Sequence, residues 1–180
     1  MSTITMTVTG HRPTKLGGYS DSAQEKVYSF ARIMVSTYKT QVHSMFSLNL
    51  NINLGMALGW DMAVAIACLE LGVPYTAYIP FDGQERYWDR KYRDEYRDIL
   101  KGAKKVINTD PGKFSIAKKM QIRNQRMVDD STMVLALWDG SPSGTKNCID
   151  YATNLGKGYY NSWGRWVEFS QNYREIKGYI

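Results

Sequence analysis

Two cysteines and two histidines are all that this chain of 180 residues carries of either type. Cys68 and Cys148 both fall within apolar patterns of helical period, which marks them as buried thiols and excludes a disulfide framework. With only His11 and His43 beside them, no zinc-ligand spacing can be written, and no metal site is expected. Long hydrophobic runs are missing too. No segment reaches the roughly 20 apolar residues of a membrane span, so no membrane partner is expected. The stretch Met1-Ser-Thr-Ile-Thr-Met-Thr-Val8 has neither the basic nor the apolar region of a secretory signal, and the expected location is cytoplasmic. Repeats, low-complexity tracts and linkers are absent as well, which points to a single domain over residues 1–180.

What is present is the composition of a globular protein, 43% hydrophobic and 22% charged. Lys and Arg outnumber Asp and Glu by 23 to 17, a net charge of +6 that suits an anionic partner, whether nucleotide or nucleic acid. The basic residues are spread over 86–97, 101–105 and 113–126 rather than gathered in one arm. Solvated helix faces account for much of that charge, so nucleic acid is only weakly favoured.

The chain is organised around residues 133–150. An apolar run from Met133 to Trp138 is short enough for a buried strand. It passes through Asp139-Gly-Ser-Pro-Ser-Gly144, a cluster of turn residues, into a helix that Thr145 begins and whose buried face is Cys148, Ile149 and Ala152. Strand, small-residue loop and helix N-terminus together make an anion site, because first-turn N–H groups and the helix dipole face the loop. Asp139, Gly140, Ser141, Ser143, Gly144 and Thr145 are therefore candidate ligand contacts. An ordinary strand-to-helix turn is the alternative, since neither a Walker A nor a GxGxxG pattern is matched.

Upstream, Ile4 to Val8 reads as a strand ending in Thr9-Gly-His-Arg-Pro13. Gly10 permits a tight turn, Arg12 can reach a phosphate, and His11 either meets a ligand or merely holds the loop backbone. A helix follows from Asp21 or Ser22 to about Tyr38, burying Val27, Phe30, Ala31 and Met34. Residues 46–51 form a short strand. Gly55 and Gly59 then bracket the turn into an apolar helix from Asp61 to Leu71, with Leu58, Met62, Ala65, Ile66 and Leu69 as its core stripe. Asp61 either satisfies the helix dipole or accepts from a ribose hydroxyl. Residues 75–79 and 105–108 are further strands. A surface helix over 84–100 has Tyr92, Tyr96 and Ile99 on one side. Residues 115–130 form a helix on which Arg123 and Arg126, three apart, share a face that clamps an anion or simply faces solvent. Residues 163–169 read as a final aromatic strand, and the tail from Tyr173 to Ile180 as surface. Strands alternating with helices give an α/β, Rossmann-like parallel sheet covered on both faces. Its ligand sits beyond the carboxyl ends of the strands, where the loops at 10–12, 55–61, 80–88 and 139–145 gather.

Taken in order, Thr9-Gly-His-Arg-Pro13, Gly55-Met-Ala-Leu-Gly-Trp-Asp61, Ile79-Pro-Phe with Gln84-Glu85 and Trp88, Arg123-Asn-Gln-Arg-Met-Val-Asp129 and Trp138-Asp-Gly-Ser-Pro-Ser-Gly-Thr145 carry a family likeness. Over about residues 4–157 the set resembles the YpsA/YoqJ-like branch of the SLOG superfamily, related to LOG-type phosphoribohydrolases and the DprA core. The resemblance implies a Rossmann-like fold, a nucleotide-derived ligand without a required cofactor, self-association, and a bacterial or bacteriophage origin. In the LOG motif Pro-Gly-Gly-x-Gly-Thr-x-x-Glu the glutamate helps to cleave an N-glycosidic bond. Here Gly144 and Thr145 match, but Cys148 stands at the glutamate position and Asp139 to Ser143 replace the Pro-Gly-Gly. A thiol in an apolar helix neither handles protons nor stabilises an oxocarbenium-like centre well. The resemblance thus favours ligand binding, as sensor or sequestering protein, over hydrolysis. Asp61 and Asp139 remain the candidate acid/base groups of a hydrolase, and binding of single-stranded nucleic acid is the third reading.

Overall fold

The computed structural model describes residues 2–176. Six strands, β1 (Thr3–Gly10), β2 (Asn49–Leu54), β3 (Tyr75–Ile79), β4 (Lys105–Asn108), β5 (Met133–Leu137) and β6 (Tyr159–Asn161), form one sheet in the order β4-β3-β2-β1-β5-β6. Every neighbouring pair is parallel. Six helices, α1 (Asp21–Phe46), α2 (Trp60–Leu71), α3 (Arg90–Gly102), α4 (Ile116–Asp129), α5 (Gly144–Asn154) and α6 (Trp163–Ile176), make the connections, with a short 3-10 turn at Pro13–Lys15. This is the expected Rossmann-like α/β fold. The chain lays down β1 to β4 outward on one side, then returns to place β5 on the other side of β1. That reversal opens a crevice at the carboxyl ends of β1 and β5, where open parallel sheets bind ligands.

The strand pattern explains the two faces. Met6 and Val8 of β1 point into the larger core with Val27, Phe30, Ala31 and Met34 of α1 and with Tyr92, Tyr96 and Ile99 of α3. Thr7 faces the other way and donates to the carbonyl of Met127, 2.6 Å away. Asn53 donates on the same side to the carbonyls of Met127 and Asp130, both at 3.2 Å. These buried polar side chains satisfy carbonyls that the end of α4 leaves without helical partners. A smaller core of Val128, Val134, Cys148 and Ala152 lies beneath α4 and α5. Cys68 and Cys148 are buried free thiols. Among the described residues no helix is long and apolar enough to cross a membrane.

Several boundaries differ from expectation. Helix α1 continues eight residues past Tyr38 to Phe46, and β2 accordingly begins at Asn49 rather than Phe46. Residues 84–89 are not helical, so α3 starts only at Arg90, with Asp89 as N-cap. Leu69 is exposed, outside the core stripe expected of α2. The expected strand over 163–169 is instead the first half of α6, and the last strand is the shorter β6 before it. Trp163, Trp166, Phe169 and Tyr173 recur at spacings of three and four, which places aromatics on one helical face. Phe30 packs against Trp166 at 5.5 Å and Phe169 at 5.3 Å between ring centroids. Tyr173 is buried, not at the surface, and the end of the expected surface tail lies outside the described residues.

Candidate functional site

At the crevice beyond β1 and β5 lies a cavity of about 320 Å³. Gly10, His11, Arg12 and Lys15 line one side, Asp61 the floor, Arg123 and Asn124 a second side, and residues 141–145 the third. Four segments far apart in sequence thus meet at one edge; three are among the expected loops, but the expected loop 80–88 contributes nothing to the lining and α4 supplies the fourth segment instead.

The third side is the junction from β5 to α5. Ser143 caps the helix, its hydroxyl accepting from Lys146 N–H at 3.2 Å, and its carbonyl accepts from Asn147 N–H at 3.1 Å. Gly144 and Thr145, the first two helical residues, have no helical acceptor for their N–H groups, as at any helix start. Both line the cavity, so these donors and the positive end of the helix dipole serve it. A Cβ at Gly144 would meet nothing nearer than Asn124 Nδ2 at 3.9 Å, so space rather than steric need surrounds this glycine. Gly140 adopts φ +89° in the turn, outside the cavity lining, where its role is to reverse the chain.

The floor is buried and carries two ionisable side chains. Asp61 is buried, and its Oδ2 accepts from Ala57 N–H at 3.4 Å. Burial pushes its carboxyl up to about 6, against the opposing pull of the Arg123 guanidinium. Arg123 is buried as well, which shifts it below its ordinary value while the Asp61 charge pulls it back. Its Nη1 donates to the Gly55 carbonyl, its Nε to Asn124 Oδ1 at 2.9 Å and its Nη2 to Met120 Sδ at 3.7 Å. A Cβ on Gly55 would lie 2.4 Å from that Nη1, so glycine here makes room for the arginine. Gly10 is not a turn residue; it ends β1 where the Trp60 ring passes, and a Cβ would meet the ring at 2.4 Å. Gly59, at φ +99°, turns the chain under the His11 carbonyl, 2.7 Å from where its Cβ would be.

The first side is held by an anion of the protein's own. Asp139 Oδ1 lies 2.8 Å from His11 Nε2, while Oδ2 accepts from Lys15 Nζ at 2.8 Å. Ser141 donates to Oδ1 from both its N–H, at 2.9 Å, and its hydroxyl, at 2.5 Å. The Lys15 ammonium first, and Ser141 next, hold the Asp139 carboxyl well below the usual carboxylate range. Asp139 N–H also points at His11 Nε2, 3.0 Å away, so this ring nitrogen faces an acceptor and a donor of the same residue.

Arg126 does not join this site. It lies one residue short of a full turn beyond Arg123, about 4.5 Å further from the strand ends along α4, and its Nε pairs with Asp130 Oδ2 at 2.8 Å. The expected clamp is therefore Arg123 alone. Lys15, Met120 and Asn124 belong to the lining but were not anticipated. Cys148, at the position of the LOG glutamate, is buried beneath α5 and pushed up to about 12 by that burial. Among the described residues no three of His, Cys, Asp and Glu gather as metal ligands.

A parallel α/β sheet with a charged cleft at its switch point defines the class as Rossmann-like. The YpsA model, the YspA SLOG family, matches residues 6–161, and the chain belongs to that family. It is 37% identical over 114 residues to the uncharacterized SPbeta prophage-derived protein YoqJ of Bacillus subtilis strain 168. That match covers 54% of this chain and 66% of YoqJ, just under two thirds of the relative's length. The fold is similar to DNA processing protein A (DprA) of Streptococcus pneumoniae, with TM-score 0.60 and 19% identity over 88% of this chain and 50% of that one. DprA of Helicobacter pylori, a protein with a single-stranded DNA binding mode, superimposes with TM-score 0.56 and 14% identity, covering 88% of this chain and 64% of its own.

Proposed function

We propose that the protein binds a nucleotide-derived small molecule, of the NAD, ADP-ribose or cyclic-nucleotide type, at the carboxyl edge of the sheet. The observation that carries this reading is the meeting of the Gly144 and Thr145 N–H groups with buried Arg123 and Asp61 in one cavity. A phosphate fits the helix start, with Arg12 and Lys15 at the rim to neutralise it. Asp61 on the floor suits a ribose hydroxyl as its hydrogen-bond donor. At about 320 Å³ the cavity is at the small end for ligand sites, the size for a phosphoribosyl unit, with any second half of a larger ligand lying outside. Sensing and sequestration both need binding without turnover, and the prophage origin of YoqJ suits sequestration of a host signal. Mass spectrometry of the purified protein, native and then denatured, tests the reading. A released nucleotide derivative supports it; a released base or sugar phosphate moves the assignment to turnover.

One observation favours a hydrolase as the second reading. A carboxyl at about 6 is poised for proton transfer near neutrality, and Asp61 has that property while Asp139 does not. Free base appearing from nucleoside monophosphates or NAD, and lost in Asp61→Asn, is the result that would establish it. Binding of single-stranded nucleic acid, suggested by the DprA likeness and the net charge of +6, predicts strongly salt-dependent association with oligonucleotides. Self-association belongs with these proposals: Tyr159 and Tyr160 are exposed on the edge strand β6.

A further inference from the structure

Asp139 occupies an unusual place relative to the cavity. His11, Lys15 and Ser141 line it, whereas Asp139 sits behind them and is not part of the lining. Yet all three turn polar groups toward its carboxylate, at 2.8, 2.8 and 2.5 Å. Lys15 Nζ also reaches Ser141 Oγ at 3.3 Å. The contact joins two loops that flank the site, the one after β1 and the one after β5, across 124 residues of sequence. Lys15 itself is half exposed at its side chain, so its ammonium has room to move. Gly17 and Gly18, at φ +95° and +99°, follow it and turn the chain through a conformation that strains other residues.

Resting on the reading of this cavity as an anion site, we propose that Asp139 is an internal competitor for the ligand's phosphate, and that Lys15 passes from Asp139 to the bound anion. With the site empty, the carboxylate satisfies the rim cation and hydroxyl and latches the two loops together. An anion at Gly144 and Thr145 offers Lys15 a second acceptor close by, and the latch contact weakens as the ligand contact forms. Asp139 is then a positioning residue that lowers affinity and sets a threshold below which weaker anions do not hold. A ligand-contacting or acid/base role for Asp139 predicts the opposite sign, because removing its charge would then cost binding or turnover.

The test uses inorganic sulfate, whose charge is constant near neutrality, titrated into the full chain and followed by backbone amide NMR. Asp139→Asn is expected to bind sulfate at least about five-fold more tightly than wild type, by weakening the hold on Lys15. In a Lys15→Met background the same substitution is expected to change affinity less than about two-fold, because the group that transfers is gone. A second measurement needs no variant: the ammonium of Lys15, tagged by 13C-dimethylation that keeps its charge, shifts in wild type as sulfate saturates. Weaker or unchanged binding by a folded Asp139→Asn, or a Lys15 signal that does not move at saturation, overturns the latch and leaves the anion site standing. Absence of saturable sulfate binding in wild type overturns the anion site, and the latch with it.

Discussion

Two helices begin at the same edge of this sheet, and they treat their N-termini in opposite ways. At α2 the protein meets the helix start with its own groups. Trp60 N–H donates to the His11 carbonyl at 3.2 Å, Ala63 N–H to the Gly59 carbonyl at 3.1 Å, and the Asp61 carboxylate lies in the first turn. Gly59 and Gly10 let the β1 loop and the Trp60 ring press closely against this start, which leaves only the Asp61 side facing the cavity. At α5 the cap residue Ser143 satisfies the third and fourth N–H groups, and the first two open onto a cavity. Both helices have a dipole; at α5 its positive end, with Gly144 and Thr145, borders the cavity. A glycine-bearing turn before a helix is therefore ambiguous by itself, and what decides its role is whether neighbouring backbone has already closed on it.

That contrast can be broken at the glycines. Gly59→Val forces a branched side chain into φ +99° and against the His11 carbonyl, so the two costs add. A loss of about 3 kcal/mol is expected, read as a fall in Tm of roughly 6–12 °C in thermal unfolding. Gly144→Leu meets no such wall. Its Tm is expected within about 2 °C of wild type, while sulfate or nucleotide affinity falls at least about ten-fold, near 1.4 kcal/mol. If Gly144→Leu unfolds the chain and Gly59→Val does not, the comparison is the wrong way round.

The Asp61 carboxyl on the floor makes binding at the α5 start depend on pH. Asp61 is mostly protonated below its value of about 6 and ionised above it, so rising pH adds a negative charge beneath the anion site. Affinity for sulfate is expected to drop several-fold between pH 5 and 7.5, and Asp61→Asn to lose the part of that drop due to Asp61. Phosphate monoesters are unsuitable here because they titrate in the same range. A pH profile identical in wild type and Asp61→Asn would remove Asp61 from the floor of the binding site. The smallest effect is expected at Arg126. Its exposed pair with Asp130 is worth at most about 1 kcal/mol, and Arg126→Ala should change sulfate affinity less than about two-fold in the same titration.

Much of the fold was legible because local pattern and global position agree. The apolar stripe of Val27, Phe30, Ala31 and Met34 announced the buried face of α1, and the turn residues 139–144 announced the approach to α5. The placing of residues 10–12, 61 and 139–145 at one sheet edge followed from strand–helix alternation alone. The failures have physical causes of their own. Aromatic richness over 163–169 suggested a strand because β propensity outweighed the spacing of three and four that makes α6. Nothing local marks Lys15 as a site residue, since its partner Asp139 lies 124 residues away and no sequence pattern connects them. Arg126 shares a helical face with Arg123 but not its depth along the axis, which spacing alone does not give. The closing of the α2 start by the His11 carbonyl is backbone to backbone, which leaves no trace in residue type except the glycine that permits it.

The most direct measurement follows the backbone amides of Gly144 and Thr145, assigned in the 15N–1H spectrum, while sulfate and then AMP are titrated into the protein. Saturable shifts are expected at these two amides and at Arg12, with the amides of Trp60 and Ala63 at the start of α2 unmoved. Shifts at the α2 start with Gly144 and Thr145 unmoved, or no saturable shift at either, would contradict this expectation.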